Sequence, residues 1–223
     1  MSARESVVGR RSGMRIVVVP GAAVRTYVRP AMECARAAGW DVELIGAPGE
    51  PGCPADLWSY GREIAGRIAG QPVDVLIGLS VGAQVAAVAA AAVPVPHLVL
   101  VSPTVDPACR SAPRLLGRWL AGGSKESPRL LPQQAPEWWR AGARQLVRVV
   151  RSALAVEVER LLPRVDARLS VVHAEHDVIT SHDYAAKLAA DHGGRLIVLP
   201  GATHSWPYAD PRGFAELLDR LPR

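Results

Sequence analysis

Lysine is almost missing from this chain. Of its 26 basic residues only Lys125 and Lys187 are lysines; the rest are arginines, and the formal net charge is +5. An excess of that size is compatible with a nucleic-acid partner. The arginines, however, are spread along the whole chain with no basic–aromatic interleaving, so no nucleic acid is expected and the charge serves solubility. Cysteine is scarce as well. Cys34, Cys53 and Cys109 are odd in number and no two are closely spaced, which excludes a disulfide framework and a thiolate metal site. They read as small apolar residues of a reducing compartment, so a cytoplasmic location is expected. A membrane span is lacking too. The apolar stretch 83–95 falls short of the roughly 20 residues a spanning helix needs, and no membrane partner is expected. Residues 1–13 are polar and arginine-rich, without the apolar core of a secretory signal, and read as a loose tail. No internal repeat or long low-complexity tract is present.

What is there is a chain of 223 residues, 49% of them hydrophobic, enough for one compact domain and short for two. Short apolar runs alternate with longer helical patterns. This predicts an α/β fold: a doubly wound, mostly parallel sheet of about six strands with helices on both faces. The strands fall at 15–19, 42–45, 73–77, 97–101, 169–173 and 195–199, several of them near-continuous Val/Ile/Leu as expected of strands buried on both sides. Helices are expected over 30–38, 57–69, 81–92, 181–191 and 211–221. From 107 to 165 the strand rhythm stops. Helical pieces at 115–120 and 137–162, separated by Gly122-Gly123-Ser124 and several prolines, make an excursion too long for a simple crossover. The expected organisation is a core of 14–106 and 166–223 with a helical lid, 107–165, inserted into it.

The most informative stretch is Gly78-Leu79-Ser80-Val81-Gly82, set between an apolar strand run and an alanine-rich helix run. A serine at the tip of a sharp strand-to-helix turn has its hydroxyl pushed out of the sheet over a helix N-terminus. Glycines two residues to either side are needed where side chains would collide with neighbouring elements. G-x-S-x-G alone is a weak motif; in strand–turn–helix context it marks a nucleophile. A serine hydroxyl needs a base, and the base works best when a carboxylate orients it. Asp177 follows the fifth strand run and His204 the sixth, so both lie with Ser80 past the C-terminal ends of strands, where open α/β sheets place their sites. Other residues compete. Asp106, past the fourth strand, is the rival acid, and His176 the rival base. Glu175 and Asp183 suit loop or cap positions; His97, His173, His182 and His192 fall within strand or helix patterns. The order Ser, Asp, His is one known order of this triad.

On the elbow 78–82, the acid loop ending at Asp177 and Gly201-Ala202-Thr203-His204, the chain resembles the α/β-hydrolases over almost its full length. The resemblance implies Ser80 as nucleophile, His204 as base and Asp177 as orienting acid, with no cofactor. It also implies an oxyanion hole from two backbone N–H groups, that of Val81 and one from the loop after the first strand, Ala22. Pro20-Gly21 stands where the family commonly has His-Gly, and the usual first two strands are absent. The implied activity is hydrolysis of a carboxylic ester or thioester, a small-molecule acyl substrate, through an acyl-serine. An acyltransferase with the same triad and a silent binding protein on the same fold are the alternatives; epoxide and haloalkane hydrolases, which place a carboxylate at the elbow, are argued against by Ser80. A homodimer is left open.

Three further features have a structural and a functional reading. Arg140, Arg144, Arg148 and Arg151 recur at helical spacing beside Leu146, Val147, Val150 and Leu154: a solvated helix face, or a positive rim for an anionic acyl donor such as a coenzyme A or phosphopantetheine thioester. Trp138, Trp139 and Trp206 either pack or line a substrate pocket. His173, Glu175, His176 and Asp177 offer metal-ligand types without a familiar metal spacing, so no metal is expected.

Overall fold

The computed structural model describes residues 13–221; apart from Gly13, the expected tail lies outside them. The described residues form one six-stranded sheet, all neighbours parallel, from β1 (Arg15–Val19), β2 (Asp41–Leu44), β3 (Val75–Leu79), β4 (His97–Val101), β5 (Arg168–Ala174) and β6 (Arg195–Leu199), in the order β2-β1-β3-β4-β5-β6. The strand order runs outward one way from β1, to β2, and the other way from β3, to β6, which makes a switch point between β1 and β3, and a crevice opens there past their C-terminal ends.

Side chains alternate across each strand, and both sets are buried. Val17 and Val19 of β1, Leu76 of β3 and Leu98 and Leu100 of β4 pack with α2 (Leu57–Gly70), α3 (Val81–Ala90) and α8 (His182–Asp191) on one face. Ile16 and Val18, Ile77 and Val99 face α1 (Arg29–Ala37), α9 (Trp206–Ala209) and α10 (Pro211–Arg220) on the other. This is why the central strands read as unbroken aliphatic runs: neither face meets water. Helix α3 is buried on nearly every side. Its alanines let it sit close to the sheet and to α2, whose Gly61 has no room for a Cβ beside Val88.

Each predicted strand is present, with ends shifted by up to two residues. The region 107–165 departs more. After the short 3-10 turn Pro107–Cys109 it builds α4 (Ala112–Gly123), α5 (Leu130–Ala141), α6 (Ala143–Ala155) and α7 (Val158–Leu161). The single helix expected over 137–162 is therefore three. Gly142, at φ +79, breaks it between α5 and α6, a left-handed conformation that glycine adopts at no steric cost, and the extended Val156 and Glu157 end α6.

Candidate active site

β3 ends at Leu79 and α3 begins at Val81, so the turn between them is one residue, Ser80, at φ +55 and ψ −120. A non-glycine residue held there costs about 1–3 kcal/mol. Its surroundings hold it: the Ser80 N–H donates to Val101 O at 2.9 Å, and the chain on either side admits no side chain. A Cβ on Gly82 would strike the carbonyl oxygens of Val19 and Pro20, and one on Gly78 the backbone of Gly82 and Ala83. The glycine spacing of the motif is thus the record of two close backbone approaches, α3 against the end of β1 and β3 against the start of α3.

The Ser80 hydroxyl lies 3.0 Å from His204 Nε2, and His204 Nδ1 lies 2.8 Å from Asp177 Oδ2. Because a carboxylate only accepts, Nδ1 carries the proton and Nε2 is left to accept from the serine. The other Asp177 oxygen accepts the N–H groups of Ile179 (2.8 Å) and Thr180 (3.0 Å), which fixes the carboxylate's rotation. Burial would raise the Asp177 carboxyl, but the His204 charge and hydrogen bond, the Thr180 N–H and the Ser102 hydroxyl outweigh it and hold the pKa below the usual range. For His204 burial acts downward, while the charge and hydrogen bond of Asp177 and the charge of Glu126 act upward; the pKa is raised above its ordinary 6.5.

The N–H of Val81 opens α3, where the first helical N–H groups have no partner within the helix. In the loop after β1, Gly21 N–H donates to Tyr27 Oη and Ala23 N–H to Pro48 O. Among the described residues the Ala22 N–H has no acceptor, and Ala22 and Val81 both border the same cavity as Ser80.

That cavity, about 540 Å³, runs from Ser80 and His204 beneath the helices between β4 and β5. Its walls are mostly apolar, supplied by Leu115, Leu116 and Trp119 of α4, Trp138 of α5, and Leu146 and Val150 of α6. Trp138 also donates from Nε1 to Ala22 O at 3.1 Å. Trp139 does not line it: it is 87% exposed on the outer side of α5, because adjacent helical residues point about 100° apart and only one of the pair can face inward. Trp206 does not line it either; it is buried and stacked on Phe214, ring centroids 5.8 Å apart. Arg140 belongs to α5 and not to the helix of Arg144, Arg148 and Arg151, all three exposed. Of the four, Arg151 reaches the cavity.

The competing residues are elsewhere. Asp106, buried, caps the 3-10 turn through Ala108 N–H and accepts the Ser181 hydroxyl at 2.5 Å. His176 and Asp183 are exposed. Glu175 accepts the Gly201 N–H at 2.7 Å. His97 pairs with Ser170 at 2.9 Å, His173 lies edge-on to His182, and His192 ends α8.

Two further carboxylates carry no mark in the sequence. Glu126, between α4 and α5, accepts from the Thr203 hydroxyl (3.0 Å) and the Ser205 N–H (3.1 Å), the residues flanking His204. Glu137 of α5, buried, accepts the N–H groups of Arg25 (3.1 Å) and Thr26 (3.0 Å) in the loop after β1. No motif marks either one, since their partners are loop residues far away in sequence.

A family model described as the alpha/beta hydrolase family matches residues 16–217. No curated protein sequence matches the chain. Among solved structures, a hydrolase from Oleispira antarctica superposes with a TM-score of 0.76 at 12% identity, covering 93% of this chain and 90% of its own. An esterase from Exiguobacterium antarcticum gives 0.75 at 18% identity, covering 94% and 91%. The enol-lactonase from Burkholderia xenovorans gives 0.69 at 13%, covering 95% and 92%. Likeness at these identities shows the shared fold.

Proposed function

Since the chain belongs to the alpha/beta hydrolase family, we propose that it is a serine hydrolase of carboxylic esters or thioesters, with Ser80 as nucleophile, His204 as general base and Asp177 as the acid that orients it. One observation carries this reading: the unbroken hydrogen-bond chain Ser80–His204–Asp177 that ends at the wall of an apolar cavity. The esterase and enol-lactonase among the structural neighbours act in the same broad reaction class.

In this reading the substrate carbonyl sits over Ser80, its oxygen toward the N–H groups of Val81 and Ala22. Ser80 Oγ attacks the carbonyl carbon as its proton passes to His204 Nε2. The tetrahedral oxyanion is held by the two N–H groups, each such donor worth about 3–4 kcal/mol of barrier. The bond to the leaving group then breaks as His204 returns the proton to it, and an acyl-serine remains. Water, deprotonated by His204, attacks that acyl carbon, and collapse releases the acid and restores the Ser80 hydroxyl. Asp177 keeps its charge throughout and stabilises the imidazolium. The helices of 107–165 act as the lid that supplies the acyl pocket; Trp138 lines it and holds the Ala22 loop. The three cysteines are free thiols, which fits work in the reducing cytoplasm; among the described residues no helix is long and apolar enough to cross a membrane.

A fluorophosphonate probe and a p-nitrophenyl ester test the proposal. The folded protein should label at Ser80 and turn the ester over, and Ser80→Ala should do neither. Turnover undiminished in Ser80→Ala, or no labelling of the folded protein, overturns it.

A further inference from the structure

Two cavities meet at His204. Beside the cavity that holds Ser80 lies a second, of about 280 Å³, bordered by Glu126, Ser127, Leu130 and Leu131. His204 and Ser205 border both cavities. So do Trp119 and Trp138, which meet edge to face with centroids 5.3 Å apart and form the shared wall. Ser80, Val81, Gly21 and Ala22 border the larger one and not the smaller.

We infer that the smaller cavity receives the leaving group, and that the substrate is an ester of an apolar acid with a bulky alcohol that carries no negative charge. The assignment rests on the reading of Ser80 and His204 given above. The acyl carbon must bond to Ser80 with its oxygen at the Val81 and Ala22 N–H groups, so the acyl chain occupies the larger, apolar cavity. The leaving oxygen must take its proton from His204, so what it carries departs on the histidine's side, away from Ser80. Size argues that this side is built for an organic group. A water needs only about 10–15 Å³ of such space, and the smaller cavity offers roughly twenty times that. Its apolar border, Leu130, Leu131 and the two tryptophans, suits an apolar body.

Charge decides the class. Glu126 borders the smaller cavity and accepts hydrogen bonds from two neutral donors, Thr203 and Ser205; among the described residues it makes no ion pair. Lys125 and Arg129, its neighbours in the chain, are exposed and border neither cavity. Arg151, the cation of the site, lies on the acyl side. A polyanionic leaving group such as coenzyme A would set like charge against Glu126, a costly arrangement.

The test varies the two halves independently. With octanoate esters, the ratio of kcat/KM for a naphthylmethyl ester to that for the methyl ester reports the leaving-group side. With methyl esters, the ratio for octanoate to acetate reports the acyl side. Leu131→Trp should lower the first ratio by about tenfold or more, the scale of a mismatch in a pocket, and leave the second unmoved; Ser127→Trp serves as its replicate should the first variant fold poorly. Val147→Trp, on the larger cavity, should do the reverse. Octanoyl-coenzyme A should be turned over about tenfold or more less efficiently than the neutral ester, and Glu126→Gln should narrow that gap. The assignment is overturned if Leu131→Trp and Ser127→Trp shift acyl preference instead, if no variant moves the first ratio, or if the coenzyme A thioester is the better substrate. Fluorophosphonate labelling of the wild type separates the two levels: labelled Ser80 with a failed panel sinks the assignment alone, and unlabelled Ser80 sinks the hydrolase reading and the assignment with it.

Discussion

Replacing Asp177 by asparagine changes one oxygen to an NH2 group, and the surroundings dictate which. Oδ1 accepts two buried N–H groups, those of Ile179 and Thr180. An amide nitrogen turned toward them would leave two donors facing a third, at about 1–3 kcal/mol for each buried group left unsatisfied. The asparagine oxygen therefore stays with Ile179 and Thr180, and its NH2 points at His204 Nδ1. Nδ1 must now accept, so the ring proton moves to Nε2, 3.0 Å from Ser80 Oγ. The base then presents a proton where it should take one. A wrong tautomer of this kind costs about 10⁴ in kcat, which at 1.36 kcal/mol per tenfold is about 5 kcal/mol. The assay is kcat on a p-nitrophenyl ester near neutral pH, with circular dichroism to show the fold intact. A folded Asp177→Asn enzyme within tenfold of wild-type kcat would refute the reasoning, because it would mean that His204 does not depend on Asp177 for its tautomer.

Three other outcomes are expected. The base must be neutral to act and its pKa is raised, so kcat/KM should climb with pH through an apparent pKa above 6.5 and then level off; a pH–rate limb centred below that value contradicts the Asp177 and Glu126 attributions. Gly82→Ala forces a Cβ against two backbone carbonyls that cannot turn aside; urea denaturation should show a loss of about 1–3 kcal/mol together with lost turnover, and a wild-type midpoint would disprove the close approach. Trp138→Phe keeps most of the ring but removes the hydrogen bond to Ala22 O, worth about 0.5–1.5 kcal/mol; kcat should fall up to about tenfold with KM little changed, whereas a KM effect alone would make Trp138 a pocket wall and nothing more.

The core was legible because its causes are local. An aliphatic run flanked by a glycine turn and a helix is the same signal wherever it occurs, and Ser80, Asp177 and His204 each follow such a run. The structure brings the three into contact because parallel strands line up their C-terminal ends: Leu79 lies opposite Val101, Val101 opposite Val172, and Ala174 opposite Leu199. The helical insertion was legible only as a departure from rhythm. Its partition depends on Gly142 taking a positive φ, which helical periodicity does not record. Which tryptophan of 138 and 139 faces inward is a matter of helix phase, set by how α5 packs, and the isolation of Arg140 from the later arginines follows from the same break. Glu126 and Glu137 look like ordinary surface acids in the sequence, because what distinguishes them is backbone N–H groups brought close by tertiary structure.

Those two acids change what the insertion does for the proposed chemistry. Glu137 grips the loop after β1 through Arg25 and Thr26, and Trp138 holds the same loop at Ala22. Glu126 grips the histidine loop on both sides of His204. From the other direction Gln84 of α3, two residues past Gly82, donates to the Ala153 and Val156 carbonyls at the end of α6 at 2.7 and 2.6 Å. The loop after β1, the loop of His204 and the helix that follows Ser80 are thus each tied to helices 107–165. At about 0.5–1.5 kcal/mol for each hydrogen bond, releasing these ties together would cost several kcal/mol and would loosen the groups that the reaction needs aligned. A lid that swung away as one body would therefore open the site and disarm it in the same motion. Between α4 and α6, Leu116 and Val147 border the cavity and are more than half exposed, an approach that leaves the carboxylate-anchored segments around residues 126 and 137 in place.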